Sequence, residues 1–199
     1  MRRFIPLLCC LFQAVQASDF GVTGLVKVPT ARMGDDGLLS ATATIEPLAD
    51  IFNVTYQATP WLETTFRYSV FNPRNVEGSS DFRRDRSYGA KIKLFDELLI
   101  RPQVALGVRD ILGTGLWEGE YLVTSKKIKN LDITLGLGWG RYSGANSFEN
   151  PLGLIDSNFL ARPPRGDSGG KFGGQSRSRS YFRGDASPFG GISFSLPKS

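Results

Sequence analysis

The sequence predicts an exported, all-β protein with about eight antiparallel strands. Three observations carry that expectation. Apolar and polar residues alternate with period two along short segments separated by turn residues, whereas no long stretch keeps a period of about 3.6. Gly 23 and Phe 14 are high and Met 2 is low for 199 residues, a balance that favours strands over helices. The first residues read as a secretory signal peptide, and no later stretch approaches the roughly 18 consecutive apolar residues of a membrane-spanning helix.

The candidate strands follow in order. Leu39 to Glu46 sets Ala41, Ala43 and Ile45 against Ser40, Thr42 and Thr44. Ile51 to Gln57 alternates Phe52, Val54 and Tyr56 with Asn53, Thr55 and Gln57. Thr59-Pro60 turns the chain into Trp61 to Val70, where Leu62, Phe66, Tyr68 and Val70 oppose Glu63, Thr65, Arg67 and Ser69. Asn72 to Arg86 is polar and reads as an exposed loop. Tyr88, Ala90, Ile92 and Leu94 then alternate with Lys91 and Lys93, and Asp96-Glu97 turns the chain. In Ile100 to Arg109, Ile100, Val104, Leu106 and Val108 oppose Arg101, Gln103, Ala105, Gly107 and Arg109; Pro102 restricts that strand to an edge or places the residue at a strand start. After a glycine-containing loop, Glu118 to Ile128 sets Tyr121 and Val123 against Thr124 and Lys126. Leu131 to Tyr142 is the clearest alternation, with Leu131, Ile133, Leu135, Leu137 and Trp139 on one side and Asp132, Thr134, Gly136, Gly138 and Gly140 on the other. Ser143 to Pro188 has no regular pattern, and Phe189 to Leu196 is the last alternating piece.

At the N-terminus, Arg2 and Arg3 precede the apolar run Phe4 to Val15, which is too short to cross a bilayer as a helix. Val15-Gln16-Ala17 places cleavage after Ala17, with Ser18 an alternative. The chain thus divides into a signal peptide, 1–17, and a β domain, 18–199. Cys9 and Cys10 both fall in the signal, so the mature chain is expected to have no disulfide and no thiol nucleophile. Leu8-Cys9-Cys10 lacks the small residue that precedes a lipidated cysteine, which argues against a lipoprotein anchor. With no His anywhere, a Ser-His-Asp triad and a His-ligated zinc site are excluded, and no metal or other cofactor is expected. Removing Arg2 and Arg3 takes the net charge from +5 to +3, too small to imply nucleic acid.

Alternation alone fits two architectures. A membrane β-barrel turns its apolar face to lipid; a soluble β-sandwich or lipocalin-like barrel turns it inward. The very short turn at Thr59-Pro60, followed by a long loop after Val70, matches the short-turn, long-loop arrangement of membrane barrels.

Gly24 to Met33, Pro60 to Tyr68, Gly107 to Ile111 with Gly113-Thr114-Gly115, Glu120 to Lys126 followed by Leu135 to Gly140, and then Asn150 to Gly153 and Phe189 to Gly191 form an ordered set of segments. Together they resemble the YjbH family of outer-membrane β-barrels linked to exopolysaccharide export. The resemblance runs from about Gly24 to Phe194. It implies an antiparallel transmembrane β-barrel, or the N-terminal part of one, located in the outer membrane. Its partners would be the lipid bilayer, a polysaccharide and other export proteins, with no enzymatic role. Family members are several times longer, and the last residues lack the terminal aromatic of many barrels, so a partial barrel is expected. A soluble periplasmic glycan-binding β-domain is the alternative.

If the polar faces line a lumen, its basic residues are Arg67, Lys91, Lys93, Arg101, Arg109 and Lys126, accompanied by Glu63, Glu120 and Asp132. A basic lumen favours an anionic glycan, because a confined channel focuses the field; the same cations could equally pair with the acids. Trp61, Tyr68, Trp139 and Tyr142 lie near strand ends, where interfacial aromatic girdles form. Gly136, Gly138 and Gly140 alternate within a strand with no helix after them, so they are small inward residues that let a neighbour approach rather than a phosphate loop. A carbohydrate-active enzyme would need paired carboxylates, and nothing in the sequence brings Glu63 and Glu120 together.

Overall fold

A computed structural model describes residues 17–47, 49–71, 84–144, 146–163 and 178–196. The segment before Ala17, read above as a signal peptide and containing Cys9 and Cys10, lies outside the described residues. Eight strands form one antiparallel sheet in sequence order: β3 (Leu39–Ile45), β4 (Ala49–Thr59), β5 (Leu62–Phe71), β6 (Arg84–Phe95), β7 (Gln103–Ile111), β8 (Gly119–Ile128), β9 (Leu131–Gly140) and β10 (Ala186–Phe194). Before them, β1 (Gly24–Leu25) and β2 (Val28–Pro29) make a small hairpin. No helix among the described residues is long and apolar enough to cross a membrane.

The eight expected alternating segments fall on β3 to β10. Pro102 stands just ahead of β7, where its missing N–H costs no ladder bond. β6 starts earlier than the alternation suggests, at Arg84, because Asp85 and Ser87 continue its buried row. All connections are antiparallel steps to the next strand, and their lengths differ between the two ends. One end has the tight turns Pro60–Trp61 and Lys129–Asn130 and the 96–102 connection. The other has 46–48, 72–83, 112–118 and the long 141–185 segment.

The sheet is not closed. β3 and β10 are its two ends and do not pair with each other, so this chain does not complete a barrel among the described residues. It curves, however, with residues 17–34 lying against one face. That single segment bonds to side chains of β4, β5, β6, β7, β8 and β9, and Leu25 reaches Gly191 of β10. One short segment can meet so many strands only if the sheet wraps around it.

The two faces are the reverse of a water-soluble sheet. The inner rows carry buried polar side chains: Asn53, Thr55 and Gln57 on β4, Glu63, Thr65 and Arg67 on β5, with Lys91, Ser125 and Thr134 beyond them. The outer rows carry Phe52, Val54, Phe66, Tyr88, Leu122 and Leu135, all among the exposed large hydrophobics. Leu135 is 64% exposed and Ile192 65%, while Glu63 is 2% and Lys91 0%. Apolar area costs about 25 cal/mol per Å² to leave in water, so this distribution is unfavourable for an isolated soluble domain.

One strand runs against the expected facing. In β8, Tyr121, Val123 and Ser125 point inward, opposite Gly107, Ala105 and Gln103 of β7, while Leu122, Thr124 and Lys126 point outward. The inner apolar side chains of β8 join Ala31 and Ala105 in a small core, with Tyr142 and Phe189 packed on it. Glycines make the room. A Cβ on Gly136 would collide with the Phe189 ring and one on Gly138 with Tyr142, so these glycines of β9 act as the expected clearances; Gly107 of β7, not expected to, makes the same room for the Tyr121 ring.

Candidate functional site

The candidate site is the polar inner wall with residues 17–34 seated on it. Most of that segment lies outside regular structure, so its backbone groups need partners once buried. The wall provides them. Thr55 Oγ1 donates to the Gly21 carbonyl at 2.9 Å and Asn53 Nδ2 to the Asp19 carbonyl at 3.1 Å. The Gly34 N–H donates to Gln57 Oε1 at 3.0 Å, and the Ala31 N–H to Ser125 Oγ at 2.9 Å. Gly21 sits at φ +83°, and a Cβ there would come within 2.6 Å of Asn53 Cβ, so both conformation and space require glycine.

Two ionic ties fix the segment. Lys91 is fully buried, and its Nζ meets Glu63 at 3.0 Å, the Thr23 carbonyl at 3.1 Å and the Arg32 carbonyl at 2.7 Å. Three ammonium donors therefore have three acceptors, and Glu63 also accepts from the Thr23 N–H at 3.0 Å and the Thr23 hydroxyl. Arg32 forms a fork onto Asp132, at 2.7 and 2.8 Å, and its Nη1 donates to Glu97 at 2.6 Å and Gln103 at 2.9 Å. These carboxylates push the Arg32 guanidinium further up, chiefly through the Asp132 hydrogen bonds. For Glu97, burial alone would raise its pKa. The hydrogen bonds from Lys126, Arg32 and the Lys127 N–H outweigh burial and hold it down at about 2.

The basic residues singled out from sequence separate into three groups. Arg67 and Arg109 point inward, are nearly fully buried and have no ion pair among the described residues. Lys91 and Lys93 also lie on the inner rows, but each is paired, Lys93 with Asp96 at 2.6 Å. Arg101 and Lys126 are not on the inner wall. Arg101 is exposed in the 96–102 connection with its guanidinium 5.2 Å from the Phe95 ring, and Lys126 faces outward at the strand end, 3.0 Å from Glu97.

The four aromatics also separate. Trp61 is exposed in the tight turn between β4 and β5, and Tyr68 faces outward on β5 beside Arg86. Trp139 is covered by Phe182 at 5.3 Å, and Tyr142 packs against Tyr121 at 5.4 Å. Those two rings touch protein, which removes them from an exposed girdle. The covering of Trp139 comes from residues 146–163 and 178–185, which lie over the outward side of β8 and β9. Arg162 ties it to Glu118 and Glu120, the Phe182 N–H donates to Glu120 at 2.9 Å, and Asn150 Nδ2 donates to the Phe159 and Phe182 carbonyls. Glu63 faces inward and Glu120 outward, so the fold does not bring these carboxylates together. Among the described residues, no three metal-ligating side chains gather.

Sequence reasoning did not single out Phe20, Arg32 or Trp117, whose side chains stack on or bond to residues of the wall. Each stands in a stretch too short or too irregular to show a period.

Fold and site together define a class: a curved, open antiparallel β-meander with a polar interior filled by its own N-terminal segment. The chain belongs to the YjbH family. Residues 16–199 match the family described as "Exopolysaccharide biosynthesis protein YbjH". The chain is 38% identical over 185 residues to a protein of Escherichia coli (strain K12) named "Uncharacterized lipoprotein YjbH", a match covering 90% of this chain and 26% of that protein. The chain therefore spans about a quarter of the length of the curated relative it matches. No solved structure matches it.

Proposed function

We propose that this chain contributes strands to an outer-membrane β-barrel that takes part in exopolysaccharide secretion or assembly, without catalysing a reaction itself. The observation that carries the reading is the inverted sheet, with aromatic and aliphatic side chains outward and Glu63, Lys91, Arg67 and Arg109 inward. Lipid accepts the first face, and a hydrated or plugged lumen accepts the second. Strands β4 to β10 have 9 to 12 residues, which suits tilted crossing of a bilayer. The tight-turn end would face the periplasm and the long-loop end the outside. The family's description supplies the link to exopolysaccharide.

An eight-stranded closed barrel has an interior just wide enough for side chains. This sheet curves around a backbone segment as well, so the ring it belongs to needs further strands between β10 and β3. The two edge strands run in opposite directions, which permits antiparallel pairing at both edges.

The test is to express the full chain in a bacterium that has an outer membrane, isolate that membrane, and compare boiled with unboiled mobility on a denaturing gel. The proposal expects the chain in the outer-membrane fraction and an unboiled band larger than one chain that collapses on boiling. Recovery as a detergent-independent soluble protein would instead support a periplasmic glycan-binding domain. Intact mass tests the N-terminus at the same time. A mature chain starting at Ser18 is expected, and an acylated Cys9 or Cys10 would put in its place the lipid anchor that the Escherichia coli relative's name describes.

A further inference from the structure

At the tight-turn end, the connection between β6 and β7 presents consecutive apolar side chains to solvent. Leu99 is 94% exposed and Ile100 91%, and Leu98 is exposed beside them. Aliphatic side chains this open are unfavourable in water, and the turn that carries them is held in place. The Leu98 N–H donates to the Arg101 carbonyl at 2.9 Å, which closes a turn with Leu99 and Ile100 at its tip. Lys126 Nζ donates to the Leu98 carbonyl. Ahead of the turn, Glu97 accepts from the Lys127 N–H at 2.9 Å and pairs with Arg32 at 2.6 Å and Lys126 at 3.0 Å, while Asp96 pairs with Lys93 at 2.6 Å. These ties hold backbone and charge against the sheet and leave the two aliphatic side chains projecting.

The turn is drawn to the outer side of the sheet. Lys126, which binds its Leu98 carbonyl, faces outward on β8. Phe95 pairs with Val104, which pairs in turn with the outward Thr124, and the Arg101 guanidinium lies 5.2 Å from the Phe95 ring. The tip thereby continues the exposed row of Ile92, Leu94 and Phe95 past the end of β6.

Cations surround the tip. The neighbouring β8–β9 turn exposes Lys127, Ile128 and Lys129. Asp96, Glu97 and Asp132, the acids of this connection and hairpin, are all in ion pairs, whereas Arg101, Lys127 and Lys129 have none among the described residues. An apolar tip ringed by unpaired cations is complementary to an acyl layer beneath anionic headgroups. A pocket in another protein could take the aliphatic side chains, but their continuity with the outer apolar face favours lipid. We propose that Leu99 and Ile100 form a lipid-insertion site, entering the acyl layer of an anionic phospholipid leaflet while Arg101, Lys127 and Lys129 meet its headgroup phosphates. Placing that leaflet on the periplasmic side rests on the barrel reading above; the tip and its ring of cations rest on geometry alone.

The full chain, with Cys9 and Cys10 replaced by Ala, carries a polarity-sensitive fluorophore on a single cysteine introduced by Leu99→Cys. It is reconstituted into vesicles, or mixed with them if it folds in plain buffer. The vesicles are phosphatidylcholine alone or an equal mixture with phosphatidylglycerol, each containing nitroxide-labelled lipid. Stronger quenching in the anionic vesicles is expected. Each cation near an anionic surface contributes roughly fivefold, so Lys127→Gln with Lys129→Gln should lower the ratio of inserted to free tip by about tenfold or more there, with little change in neutral vesicles. Ile100→Cys gives a second probe position that does not depend on the first. Probes at both positions that stay in water in both vesicles overturn the site and leave a protein pocket as the partner of the tip. Quenching that ignores lipid charge and the double substitution overturns the role of the cations and, with it, the anionic leaflet. A probe at Leu135 reads the barrel separately. Quenching there without quenching at the tip keeps the barrel and removes this site, whereas quenching at the tip alone removes the barrel and leaves a peripheral membrane-binding turn.

Discussion

Arg32 joins the N-terminal segment to two strands and one connection of the wall through one side chain. Its partners Asp132, Glu97 and Gln103 come from the β8–β9 hairpin, the 96–102 connection and the start of β7. Replacing it by Ala strands two carboxylates, and an expected loss of about 1–3 kcal/mol follows from removing charged hydrogen bonds that are mostly shielded from water. Chemical denaturation measures that loss, and faster hydrogen exchange over residues 17–34 should accompany it. The pH dependence has a definite sign. Glu97 is held at about 2 in the folded chain against an ordinary 4.5, so its contribution is complete above about 4.5 and is lost as pH falls toward 2. Exchange measured at pH 7 and at pH 3 should therefore show the segment loosening in acid, and Glu97→Gln should flatten that change. Gly107→Ala forces Tyr121 out of its place and is expected to cost about 1–3 kcal/mol by overpacking, read from the same denaturation curves. At this scale the inward facing of Arg67, Lys91 and Arg109 was legible, because parity along a long strand fixes the side. Arg101 and Lys126 were not legible. Parity was carried past Pro102 into a connection for the first, and for the second the apolar side chains of its strand were assumed to point outward.

Residues 17–34 behave as one element although they contain only a two-residue-stranded hairpin. Their anchor is the Lys91–Glu63 pair, sealed from water and shared with two backbone carbonyls of the segment. Breaking a buried pair by removing one partner costs about 3–5 kcal/mol, so Lys91→Met should destabilise strongly, whereas Lys91→Met with Glu63→Leu should recover part of the loss. A double-mutant cycle on denaturation midpoints checks this; equal effects of the single and double substitutions would show that the pair does not hold the segment. The alternation of β3 to β7, β9 and β10 could be read directly because one row of each strand is mostly polar or glycine. β8 could not, since its inner row is Tyr121, Val123 and Ser125, filling the small core beneath Ala31. The hairpin was invisible for another reason: two-residue strands have no period, and only the wall's hydrogen-bonding groups impose their geometry. The described residues between β9 and β10 have no pattern because single side chains hold them, Asn150 and Arg162 above all.

At the scale of the whole molecule, the described residues form a sheet with an apolar outer face and a charged inner one, left open between β3 and β10. That combination explains the alternating apolar rows of this chain. Its central claim concerns the outer face, and site-specific lipid contact tests it most directly. With Cys9 and Cys10 replaced by Ala, single cysteines at Thr65, Phe66, Leu122, Val123, Thr134 and Leu135 would carry an environment-sensitive fluorophore in protein reconstituted into vesicles containing nitroxide-labelled lipid. Strong quenching at positions 66, 122 and 135, with little at 65, 123 and 134, is the result predicted by the facing of β5, β8 and β9. Equal quenching at adjacent positions, or none at the outward ones, would contradict a membrane-facing sheet.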